Sequence, residues 1–152
     1  MTPIDRMKAA AEKSQAIDMW PPFAGPMPDE EIEKVATKLG VPITGSYREF
    51  IRLLGEQNDE GICGLDIEYP DGGTLWATGL MREENKLSSS YLVVWTNEAF
   101  DRACIMDCSD PQSDGEFPVY AVAPESWNTE RERVADSFVE FFEKCCDIQP
   151  GA

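Results

Sequence analysis

Between Tyr91 and Ala123 the chain holds three short apolar runs: Tyr91 to Trp95, Arg102 to Cys108 and Phe117 to Ala123. Each is rich in Val, Ile and aromatics and is bounded by turn formers, the pattern of a β-strand. Asn97-Glu98 occupies the first gap, and Ser109 to Glu116, with Pro, Ser, Gly and three acids, fills the second. A parallel pair needs a crossover of a dozen or more residues, so gaps this short predict an antiparallel meander. The helical segments on either side must then cover that sheet. The expected fold is α+β: a mostly antiparallel central sheet flanked by N-terminal helices and a C-terminal helix.

The segments before the block read as helices. Ile4, Met7, Ala11 and Ile17 make a stripe on a first helix, Pro3 to Met19. Trp20-Pro21-Pro22-Phe23 ends it, because proline lacks an N–H and restricts the residue before it. Pro28-Asp29-Glu30-Glu31 starts a second helix, with acids placed to complement its dipole. Ile32, Val35, Ala36 and Leu39 fall at i, i+3, i+4 and i+7, and Gly40 stops it. Ser46 and Glu49 have capping-box spacing for a third helix. There Tyr47, Phe50, Ile51 and Leu54 repeat the same spacing.

Leu65, Ile67 and Tyr69 alternate with Asp66 and Glu68, which predicts a strand with its acids on the outer face. Pro70-Asp71-Gly72-Gly73 is a turn signal. Thr74 to Thr78 is expected to return as the second strand of that hairpin, and Gly79 to Leu87 to form a short helix. After the central block a last helix is expected from Asn128 or Thr129, with Val134, Phe138, Phe141, Phe142 and Cys145 as its apolar stripe.

The charge balance narrows the partners. Among 152 residues, 29 acids against 13 bases give a net charge of −16. Such a surface repels nucleic acid and anionic membranes and attracts a basic protein. No apolar run is long enough for a transmembrane helix, and Lys8 and Lys13 are not followed by the apolar stretch of a secretory signal. Five cysteines without framework spacing predict reduced thiols in a cytoplasmic protein.

The chain contains no histidine. Ser-His-Asp and Cys-His catalysis are therefore excluded, and so are most zinc sites. Cys104 and Cys108 would stand about 13 Å apart along a strand, too far to share a metal or a disulfide without a bend. Asp110, Asp114 and Gly115 match three positions of a calcium loop, but Gln112 and Ala121 stand where ligands are needed. A glycosidase-type carboxylate pair is the remaining enzymatic option, and chance pairing is expected in so acidic a chain. Gly72-Gly73 lacks the lysine and the context of a phosphate loop. The residues predict no enzyme, metal or cofactor.

The order of pieces resembles the SUKH superfamily, the fold of the yeast cell-wall-assembly regulator and of many bacterial immunity proteins. Three stretches carry the resemblance. Pro28 to Gly55 is similar to the family's opening helix, its Leu-Gly turn and its Tyr-x-x-Phe helix, here Tyr47 and Phe50. The central block with the acidic loop Asp107 to Glu116 is the second, and Val134 to Phe142 is the third. Ile43-Thr44 stands where the family usually has Leu-Pro. The resemblance implies an SUKH-like domain over residues 25–147, preceded by a helix and Trp-Pro-Pro linker over 1–24 and followed by a tail over 148–152.

It also implies a function: a bacterial immunity protein that neutralises a cognate toxin by occluding its active site. The alternative is a regulatory scaffold for another protein. The toxin would be basic where an acidic surface meets it. The candidate contact residues are Asp59, Glu60, Asp66, Glu68 and Asp71 around the predicted hairpin, and Asp107, Asp110, Asp114 and Glu116 on the central loop. Trp76, Trp95 and Trp127 are candidate anchors, since Trp is enriched at binding hot spots; core packing is the competing reading for each, and more so for Trp95, inside a strand run, than for Trp127.

Overall fold

The structure, a computed structural model, describes residues 2–13, 27–53, 62–65, 73–97 and 99–147. Among these residues the elements in order are α1 (Pro3–Lys13), α2 (Asp29–Leu39), α3 (Gly45–Leu53), α4 (Thr74–Asn85), β1 (Tyr91–Thr96), β2 (Ala103–Asp107), β3 (Val119–Val122), β4 (Arg131–Ala135) and α5 (Phe138–Asp147). The strands form one antiparallel sheet in the order β1-β2-β3-β4. This is the α+β meander that the central block predicts, with one strand more.

Helices cover both faces of β1 and β2, which is why these strands read as continuous apolar runs. Leu92, Val94, Cys104, Met106 and Val119 pack against Met7, Ile32, Tyr47, Phe50, Phe138 and Phe142 from α1, α2, α3 and α5. Tyr91, Val93, Ala103, Ile105 and Val122 face the other way, against Ala77 and Met81 of α4. In α2, Ile32, Val35, Ala36 and Leu39 are all buried. Its C-terminus closes as expected: Gly40 takes φ +68° and its N–H bonds Ala36 O at 2.8 Å. In α3, Tyr47, Phe50 and Ile51 are buried; Leu54 and Ile17 lie outside the described residues.

Two expectations are corrected. Residues 74–78 do not return as a strand; they begin α4. Thr and Trp favour strands, but Thr74, Ala77, Thr78 and Met81 fall at helical spacing and all four are buried. The Thr74 hydroxyl donates to Val93 O at 2.7 Å, and the Thr78 hydroxyl accepts the Val93 N–H at 2.9 Å. Two threonines one helical turn apart thus satisfy the backbone of an edge strand, which docks α4 along β1. Beside it, Cys63 N bonds Val94 O at 2.9 Å and Ile62 bridges Trp95.

The second correction concerns the C-terminal region. Residues 131–135 are the edge strand β4, not the start of the last helix. Glu130-Arg131-Glu132-Arg133 suits a solvated helix by propensity, yet charged side chains are equally a device of edge strands. The true helix start is marked by Ser137-Phe138-Val139-Glu140, a capping-box sequence. The Ser137 hydroxyl accepts the Glu140 N–H at 3.1 Å. Phe, Val and Cys are mediocre helix formers, but fully burying a Phe stabilises by roughly 1.5–3 kcal/mol. Burial of Phe138, Phe141 and Phe142 therefore decides the element.

Candidate partner-binding surface

The loop between β2 and β3 carries four of the candidate acids, and the structure gives them different roles. Asp107 is 7% exposed and its Oδ1 accepts the Ser109 N–H at 3.0 Å and the Ser109 hydroxyl at 2.6 Å. Asp114 is exposed, and its Oδ1 accepts the Glu116 N–H at 3.0 Å. Both are short Asp side-chain turns that fix the two ends of the loop. Gln112 N to Glu116 O at 2.7 Å and Gly115 N to Gln112 O at 2.9 Å close the tip. Glu116 is 9% exposed and turns inward, accepting the Ser46 N–H at 2.7 Å. Asp110 is exposed on the outer side. Of the four candidate acids on this loop, Asp107 and Glu116 are buried and order it from within, Asp114 is exposed while bonding the Glu116 N–H, and Asp110 is exposed.

Ser46 departs from its expected role as well. It sits inside the first turn of α3, and its hydroxyl donates to Glu116 Oε1 and accepts the Val139 N–H at 3.0 Å. The capping carboxylate thus comes from the β2–β3 loop and not from Glu49.

Trp76 is 37% exposed, the single large apolar side chain so exposed among the described residues. Its ring meets Phe100 edge-on at 5.5 Å. Phe100 lies in the β1–β2 hairpin, at the end of the sheet opposite the β2–β3 loop, about 15 Å of strand away by the rise of β2. Trp76 and the acidic loop therefore do not share one patch. Asp59, Glu60, Asp66, Glu68 and Asp71 lie outside the described residues. Trp127 is half-buried: its indole N–H donates to Asn85 O at 2.9 Å and its ring meets Tyr91 at 5.3 Å. Trp95 is half-buried and packs against the larger core.

Phe100 has φ +55°, rare for a residue with a Cβ. Asn97 holds it there, with its Oδ1 accepting the N–H groups of Asp101 and Arg102, both at 3.1 Å, and its Nδ2 bonding the Asp101 carboxylate. Sequence reasoning passed over Phe100; its one signal is the Asn three residues before it. Also passed over was Arg131, whose guanidinium lies 4.4 Å from the Tyr120 ring centre and donates to the Tyr91 hydroxyl at 2.6 Å.

Among the described residues, no group of Cys, Asp and Glu side chains forms a set that could hold a metal ion. Burial pushes the thiols of Cys63, Cys104 and Cys108 up to about 12, so they stay protonated at neutral pH. No helix among the described residues is long and apolar enough to cross a membrane.

A comparison with curated proteins finds no match. The profile of the SMI1 / KNR4 family (SUKH-1) matches residues 26–144. That span takes in α2, α3, α4, the whole sheet, the β2–β3 loop and most of α5, while α1 precedes it. The family is generally non-catalytic, and membership is consistent with binding a protein partner in an immunity-like or regulatory role. With the sheet, the loop and the Tyr47–Phe50 helix all inside the matched span, the chain belongs to the SMI1 / KNR4 family (SUKH-1).

Proposed function

We propose that this protein is a bacterial immunity protein that acts in the cytoplasm, binding a cognate secreted toxin and occluding its active site through an acidic surface. The observation that carries the reading is the β2–β3 loop, where Asp107, Asp114 and Glu116 hold the backbone while Asp110 and Asp114 stay exposed. An ordered loop loses little entropy on binding. A net charge of −16 speeds its encounter with a basic surface. Asp59, Glu60, Asp66, Glu68 and Asp71 extend the proposal to a second acidic segment. Membership in the SUKH-1 family supports the choice of a protein partner.

Co-expression with the toxin encoded by the neighbouring gene tests the reading. Growth is expected with the wild-type protein and to fail with Asp110→Asn/Asp114→Asn or Asp66→Asn/Glu68→Gln, whichever cluster lies at the centre of the interface. A peripheral cluster slows association and flattens its salt dependence without abolishing protection. If both double variants protect like wild type and associate at the wild-type rate, the acids serve solubility alone. Capture of a non-toxin partner without protection would favour the regulatory scaffold.

A further inference from the structure

Beside Phe100 a groove of about 380 Å³ runs between the C-terminal end of α4, the β1–β2 hairpin and the turn after β3. It is lined by the apolar Ala99, Phe100, Ala123 and Pro124, with Pro124 buried, by Asn85, and by Glu84, Asp101 and Glu125, whose exposure puts their carboxylates on its rim. Lys86 and Arg102, the nearest bases in the sequence, do not line it. The geometry points to this groove as the receptor for an arginine or lysine side chain from a basic segment of the protein partner. The inference rests on the reading of the protein as a binder of a basic protein, and it places the anchor at the opposite end of the sheet from the β2–β3 loop.

Three features select that occupant. The apolar floor suits the methylene stem of a long basic side chain, which buries its stem while its head seeks charge. The rim offers carboxylates of one sign, and the last carbonyls of α4 add partial negative charge at the same end. The third is the aromatic wall, where Phe100 is set edge-on against the exposed Trp76 and fixed by the Asn97 turn. Rings beside carboxylates receive a cation through both the quadrupole and the ion pair. A volume near 400 Å³ holds one such side chain with its adjoining backbone and falls in the range of ligand pockets.

The test titrates the isotopically labelled full chain with acetyl-Ala-Arg-Ala-amide, and with acetyl-Ala-Glu-Ala-amide as control, following amide and indole NMR signals. The arginine peptide is expected to give saturable shifts at Ala99, Phe100, Ala123 and the Trp76 indole, and the glutamate peptide none. Glu84→Gln and Glu125→Gln, both on the surface, should each weaken binding roughly 1.5- to 5-fold, the range of an exposed ion pair. Absence of shifts in the groove, or wild-type affinity in a Glu84→Gln/Glu125→Gln double variant, overturns the inference. Growth protection is read separately. Groove binding without protection would sink the toxin reading and leave the groove, whereas protection without groove shifts would do the reverse.

Discussion

The carboxylate of Glu116 caps the first turn of α3, reaching the Ser46 N–H at 2.7 Å across 70 residues of sequence. The Ser46 hydroxyl passes the connection on to the Val139 N–H in the first turn of α5. Helix N-termini carry unsatisfied N–H groups and a partial positive charge, so one buried carboxylate settles a donor of α3 and orients the hydroxyl that settles a donor of α5. The acidic loop is thereby fastened to both helices.

Glu116→Ala is expected to destabilise the protein by about 1–3 kcal/mol, the cost of leaving a buried donor unmade. Gly45→Ala should cost about 1–2 kcal/mol, since Gly45 takes a left-handed φ of +70° and its added Cβ would stand 2.9 Å from Glu116 Oε2. Urea midpoints measure both. A wild-type midpoint for Glu116→Ala would show that water replaces the carboxylate and that the loop is not anchored here.

Phe138→Ala is expected to cost about 3–5 kcal/mol. Phe138 is fully buried, with ring centres of Tyr47 at 4.8 Å and Phe50 at 5.2 Å. Its truncation opens the meeting point of α3 and α5 with little chance of collapse. A loss under about 1 kcal/mol in calorimetry would contradict the packing described.

Thr78→Val keeps the shape of the side chain and removes the acceptor for the Val93 N–H. The expected loss is about 1–3 kcal/mol. Loosened docking of α4 also frees the edge of β1, so sedimentation should reveal more self-association than in wild type. Stability and sedimentation both matching wild type would mean that the threonines are not what seats the helix.

Stability is expected to fall as pH rises from about 9 towards 12. The folded thiols of Cys63, Cys104 and Cys108 titrate near 12 because of burial, against an ordinary 9.0. Below 9 both states hold these protons, and the thiols contribute no slope. Above it the unfolded chain releases protons that the folded chain keeps, by about 1.4 kcal/mol per pH unit for each thiol. Tyr47, raised well above its usual value by burial, acts in the same direction. Denaturant midpoints at pH 8 and 10.5 should therefore differ less in Cys104→Ala than in wild type. Equal slopes would refute the thiol contribution.

The first three strands were legible because the meander has short gaps and β1 and β2 are buried on both faces, so Tyr91-Leu92-Val93-Val94 is apolar without alternation. The stripes of α2 and α3 were legible because each buries one face against one neighbour. Residues 74–78 misled because their strand propensity is overridden by two hydroxyls that bond a strand, a contact made 15 to 19 residues later in the chain. Residues 131–135 misled because alternating charges fit an exposed helix and an edge strand equally, while Ser137 and Glu140 gave a usable signal for the helix start. For the candidate surface, charge located the β2–β3 loop, but composition could not tell Glu116, directed inward, from Asp110, directed outward. That difference depends on Ser46, far away in sequence.

The link from Glu116 through Ser46 to Val139 also bears on synthesis. A chain that reaches only residue 130 holds the residues of β1, β2 and β3 but lacks the aromatic side chains that cover Tyr47 and Phe50. Its apolar face stays open, and the α3 hydroxyl has no α5 N–H to meet. Contacts this distant in sequence make closure slow and late, and exposed apolar surface invites aggregation while it lasts. Residues 138–146 are therefore expected to close the fold last, because the face of α3 and the sheet beneath it are covered only once they are in place.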